Sequence, residues 1–189
     1  MKTIFGYFLI VFSLLFIILI GFPQIYSNNS SGRIDKEVAL DLNFLKQENS
    51  PIVLLFFGYV NCGDICAPAM RELNKIYEQL NQSKTKVYFL NILNSTNQEL
   101  PKPYAQSFNK NFKGIYLNPL EIKEVSSKLN LSLSYIDNKK VSHTGHLFIL
   151  EKNLDKKGYY LKYIYTTRPF DEKSIINDIN ALTLKNEMT

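Results

Sequence analysis

Residues 52–80 read IVLLFFGYVNCGDICAPAMRELNKIYEQL. Ile52–Phe57 is an unbroken apolar run of strand length. It lacks the in-and-out alternation of a half-exposed strand, so it predicts a central strand buried on both faces. From Met70 the period changes. Met70, Leu73, Ile76, Tyr77 and Leu80 recur at spacings of three and four, which marks an amphipathic helix. Pro68 falls where a first helical turn tolerates a missing N–H. Between strand and helix lies a loop holding Cys62 and Cys66, the only cysteines in the chain. In open α/β sheets, ligands bind at loops of this kind, beyond the carboxyl end of a central strand.

The same reading extends along the chain. Val87–Leu93 predicts a second strand, 101–111 a short helix, 114–117 a short strand, and 119–129 a helix with Leu120, Ile122, Val125 and Leu129 inward. Strands are expected at 146–151 and 159–165, around a turn at 156–158. A last helix is expected from Asp171, which caps it, through Leu184. This β-α-β, helix, β-β-α order gives an α/β thioredoxin-like fold.

Residues 4–22, IFGYFLIVFSLLFIILIGF, carry no charge. As a helix they would reach roughly 28 Å, the thickness of a bilayer's hydrocarbon core. Lys2 precedes the run and no basic residue follows until Arg33, so the N-terminus is expected in the cytosol and the rest outside. The expected organisation is a single transmembrane anchor over 1–23, a flexible linker over 24–33 and one domain over 34–189. A cleaved signal peptide is the alternative, but the run is long and lacks a small-x-small exit. In a bacterium the domain would face the periplasm from the inner membrane. The net charge of +5 comes from scattered Lys and Arg, not from the clustered patch that nucleic-acid binding requires.

Placement of two thiols before a helix N-terminus favours thiolate, which is both the nucleophile and the metal ligand. Thiol oxidoreductases use Cys-x-x-Cys; here Gly63, Asp64 and Ile65 intervene. The wider loop suits two sulfurs converging on one soft ion, Cu(I) or Zn. An imidazole is the usual third ligand. The two histidines, His143 and His146, both precede the apolar run LFIL. In an extended chain, residues three apart point to opposite faces, so one is expected to face the cysteine loop. Spacing does not choose between them.

FFGYVNCGDICAPAM (56–70) resembles the signature of the Sco/SenC family, and VSHTGHLFILE (141–151) resembles its later V-D-H-S segment and strand. The resemblance runs from Pro51 to Leu182. It implies a thioredoxin fold on an N-terminal anchor, with copper, as Cu(I) or Cu(II), held by Cys62, Cys66 and His143. It implies service to a cytochrome c oxidase subunit or another cuproprotein, with a copper donor protein upstream. His146 ranks second as a ligand. Asp64 matches the family's loop aspartate and is expected to tune the loop's charge or cap the helix. Four departures stand out. Gly63 replaces a proline, the next proline is displaced to Pro68, Ser142 replaces an aspartate, and 91–97 (NILNSTN) lacks the family's acidic pair.

The competing reading is a periplasmic thiol–disulfide reductase on a dedicated cuproprotein partner, with Cys62 as nucleophile and Cys66 as resolving thiol. Thioredoxin-type reductases set a cis-proline before the last hairpin, and no proline lies between Pro119 and Pro169. A thiol peroxidase is excluded by the setting of Cys62, which lacks the required Thr-x-x-Cys.

Overall fold

A computed structural model describes residues 7, 11–16, 32–137, 140–153 and 158–187. Of the expected anchor it describes Tyr7 and 11–16, all helical. The remainder of the anchor, and the linker up to residue 31, lie outside the described residues. Among the described residues no helix is long and apolar enough to cross a membrane.

The strand at the centre of the domain is β2 (Ile52–Gly58), and every residue in it is buried. It pairs in parallel with β3 (Thr85–Asn91) and antiparallel with β7 (Leu147–Lys152). Around this trio the sheet extends to β4 (Lys113–Tyr116) on one side, then to β8 (Tyr159–Tyr165) and β1 (Arg33–Leu40) on the other. The order is β1-β8-β7-β2-β3-β4. Helix α1 (Cys66–Glu78) buries Ala69, Met70, Leu73, Ile76 and Tyr77. It packs against α4 (Glu172–Glu187), which also meets β2. Each fully buried Leu, Ile, Val or Phe contributes roughly 1.5–3 kcal/mol relative to exposure, and β2 supplies six such side chains at 0–3% exposure. Parallel β2–β3 pairing with α1 as its crossover, and the antiparallel β7–β8 hairpin, make this a thioredoxin-like α/β fold.

Two short helices complete it, α2 (Pro101–Gln106) and α3 (Pro119–Leu129). The first is shorter than expected: Asn109 Oδ1 accepts the Asn111 N–H, an Asx turn that redirects the chain. The second has the expected bounds and a capping box. Asn118 Oδ1 accepts the N–H groups of Leu120 and Glu121, and Glu121 reaches back to the Asn118 N–H. Leu120, expected inward, is 79% exposed, because it stands on the first turn beside the cap. Asp171 Oδ1 accepts the Ser174 N–H at the start of α4, as its position predicts.

Two elements have no counterpart in the sequence reading. β1 is a charged edge strand, RIDKEVAL, in which Leu40 alone is buried. A separate hairpin joins β5 (Leu133–Asp137) to β6 (Lys140–His143). The Tyr135 hydroxyl pins that hairpin to the sheet by donating to the Ile92 carbonyl beyond β3, at 3.2 Å.

Candidate metal centre

Three segments converge at the carboxyl end of β2. The first is the loop that leaves it. Cys62 is 7% exposed and stands in a turn closed by Cys62 N–H to the Tyr59 carbonyl (3.2 Å) and Ala67 N–H to the Cys62 carbonyl (3.3 Å). The second is the opening turn of α1, whose first residue is Cys66, fully buried. The third is the end of β6, which delivers His143. The ligand atoms of Cys62, Cys66 and His143 all lie within 4.8 Å of one another. Cys66 Sγ is 3.5 Å from His143 Nε2. His143 Nδ1 accepts the Gly145 N–H at 3.1 Å, which turns Nε2 toward the sulfurs and leaves it carrying the proton of the neutral ring.

The two thiols are unequal. Cys62 is drawn well below the usual thiol range. Cys66 donates to it first, and His143 and the N–H groups of Cys66 and Ile65 add to the effect. Cys66 is driven upward by the same hydrogen bond to Cys62 and by burial. Asp64 does not cap α1: the N-cap is Ile65, and no side chain bonds there. The free N–H groups of the first turn are thereby left to the Cys62 sulfur. Tyr59 closes the other side, its ring edge-on to His143 at 6.1 Å. Burial, followed by the Cys62 charge, pushes its phenol up to about 12.

His146 is absent from the cluster. It is the third residue after His143, but the intervening Gly145 adopts φ 64°, so the chain between them is a turn and not an extended strand. The His146 ring sits 6.4 Å from that of Phe148. Its residue lines a cleft of about 310 Å³ with Val38, Leu129 and Leu161.

Several residues matter here that carry no motif. A Cβ at Gly58 would stand 2.7 Å from Cys66 Sγ and 2.9 Å from Phe89 Cε2. Glycine at the end of β2 therefore allows the helix to bring its sulfur against the strand. An isolated glycine ending an apolar strand is the one signal for such close approach. At Gly63 a Cβ would meet nothing within 4 Å, so packing does not demand the departure from proline. Asn91, in the segment lacking carboxylates, is fully buried. Its Oδ1 accepts the Val60 N–H (3.2 Å) and its Nδ2 donates to the Leu93 carbonyl (3.0 Å). An amide makes both bonds, whereas a carboxylate cannot donate. Arg168, beyond β8, donates to the Gly145 carbonyl.

A family model described as SCO1/SenC matches residues 46–183. A SCO2-like protein of Rickettsia prowazekii is 26% identical over 121 residues, covering 59% of this chain and 57% of its own length. The chain thus spans little more than half the length of the curated relatives it matches. Among solved structures, apo Sco1 from Thermus thermophilus superposes with a TM-score of 0.61 at 23% identity, covering 79% of this chain and 92% of that one. ScoI of Bradyrhizobium japonicum with copper bound gives 0.59 at 18% identity, covering 78% and 96%. At these identities the superpositions establish the shared fold.

Proposed function

Since the chain belongs to the SCO1/SenC family, we propose that it is a copper-handling assembly protein whose cargo is one copper ion held by Cys62, Cys66 and His143. The observation that carries this reading is the cluster itself. Residues 81 positions apart in sequence bring two sulfurs and a ring nitrogen within 4.8 Å of one another. Thiolate–imidazole sets of this kind suit Cu(I), and the ScoI relative was solved with copper bound. Cu(II) is the other oxidation state that the family resemblance allows.

The chain's own groups define the steps. Cys62 is held as thiolate by Cys66 and the N-terminal turn of α1. Cargo capture then requires the Cys66 proton to leave, so affinity falls as pH falls. It also requires the neutral His143 ring to carry its proton on Nδ1, which frees the Nε2 lone pair and releases the Gly145 N–H. Because neither Cys62 nor Cys66 is in a disulfide, oxidation of the pair to one would withdraw both sulfurs and gate the site. A receiving protein's thiols can take the ion by stepwise ligand exchange. The recipient is a cytochrome c oxidase subunit or another cuproprotein, and the domain over 34–189 works on the periplasmic side of the inner membrane, tethered by 1–23. The apolar run 4–22 supports the location.

A second reading has its own observation. One thiol lowered and its neighbour raised is the division of labour of a nucleophile and a resolving thiol in disulfide exchange. Anaerobic metal analysis of the reduced protein separates the two. The copper reading expects about one copper per chain, lost in Cys62→Ser and in Cys66→Ser. Stoichiometry near zero, with insulin disulfide reduction at thioredoxin-like rates, would reject it in favour of the reductase.

A further inference from the structure

Arg168 lies 25 positions beyond His143 in a Thr-Thr-Arg-Pro segment with no motif, yet it is built into the metal centre. Its guanidinium stacks over Phe56 at 5.2 Å and Phe170 at 4.1 Å. Phe56 in turn meets the His143 ring edge-on at 6.3 Å. One guanidinium nitrogen donates to the Gly145 carbonyl, and the N–H of that same glycine holds His143 Nδ1. Gly145 is therefore a two-ended link between the arginine and the histidine. It is also wedged: a Cβ there would stand 3.0 Å from both Arg168 Nη2 and Ile65 Cγ2 of the cysteine loop.

Among the described residues this arginine forms no salt bridge, and the charge that acts on it most is that of Glu72. Its Nε is buried without a hydrogen-bond acceptor. Glu72, the carboxylate that acts on it, is engaged by the Phe170 N–H at 3.0 Å. Burial lowers the guanidinium's proton affinity, and the charges that restore it are those of Glu72, Cys66 and Cys62. A buried cation without a salt-bridge partner is costly unless compensating charge faces it. The Cys62 thiolate beside a Cys66 thiol leaves the site at −1, and two thiolates with one Cu(I) leave it at −1 as well, whereas two thiolates with Zn(II) leave it neutral.

We propose that Arg168 is a positioning residue of the metal centre that also sets its metal preference: through the Gly145 carbonyl it fixes the turn that presents His143, and its buried positive charge favours Cu(I), which keeps the site at −1, over Zn(II), which does not. This rests on the reading of Cys62, Cys66 and His143 as the copper ligands.

The test uses the reduced full chain under anaerobic conditions. Cu(I) affinity is measured by competition with a chromophoric chelator, and Zn(II) affinity in parallel, for wild type, Arg168→Gln, Arg168→Met and Arg168→Lys. Gln retains a donor for the Gly145 carbonyl, and Met retains the tail that packs on the two rings. Either neutral variant that folds is sufficient. Cu(I) leaves the charge of the site unchanged and Zn(II) raises it by one, so removal of the arginine charge should lower the Cu(I)/Zn(II) affinity ratio about tenfold, within the range for partners that surround a metal site. Lys should restore most of that ratio. An unchanged ratio in the neutral variants, or no restoration with Lys, would overturn the proposal. The copper reading would survive each of these results. It fails separately, if wild type itself does not bind Cu(I).

Discussion

His143 and His146 show how three positions in a chain can separate two environments. His143 ends β6 and turns Nε2 toward Cys66. His146 lies past the Gly145 turn, where burial, then Arg168 and His143, hold its ring below the usual imidazole range. His143→Ala should therefore weaken copper binding beyond the roughly 10–100-fold that loss of an outer hydrogen-bond partner costs. His146→Ala should stay within a few-fold, and chelator competition on the two variants checks it. Equal losses would contradict the choice of ligand. At this scale the sequence was legible where residues are scarce: two cysteines and two histidines leave few ways to build a site. It was illegible at Asn91 and Arg168, whose roles depend on what folding places beside them. Nothing local marks an arginine that will reach a carbonyl 23 positions back in the chain.

Elements with strong periodicity could be read directly. β2 is apolar throughout, α3 has its Asn118 cap, and β8 occupies 159–165 as its pattern predicts. β1 could not be read, because charged residues interrupt its apolar positions Ile34, Val38 and Leu40, as befits an exposed edge strand. The β5–β6 hairpin buries Val141 while most of its other side chains remain exposed, so its period is equally faint; yet this element carries His143. At the opposite end of the sheet from the cysteines, Glu48 ties the entry to β2 to its neighbours. It accepts from Tyr88 of β3 and Lys113 of β4, each at 2.6 Å, and from the Ser50 N–H at 2.9 Å. Burial pushes its carboxyl up, but these donors outweigh it and hold the group at about 2, against 4.5 ordinarily. A depressed folded value means that the stabilisation is complete above about 4.5 and is lost as pH falls toward about 2. Glu48→Gln should lower stability at pH 7 by roughly 1–3 kcal/mol, and the gap to wild type should narrow steadily below pH 4.5. Urea denaturation across that range measures it, and a gap that does not change with pH would contradict the assignment.

For the whole molecule, the fold's task is to carry one histidine from a faint hairpin to two thiols on an early loop. β2 fixes the loop, α1 fixes Cys66, and the Tyr135 hydroxyl anchors the hairpin over the end of β3. Gly145 and Arg168 then set the ring. The central claim is that these three side chains bind one ion together. X-ray absorption spectroscopy of the reduced protein loaded with Cu(I) addresses it most directly. The account predicts two sulfur scatterers and one imidazole nitrogen around copper, with the imidazole signal lost in His143→Ala and retained in His146→Ala. A copper environment without imidazole in the wild type, or one left unchanged by His143→Ala, would contradict it.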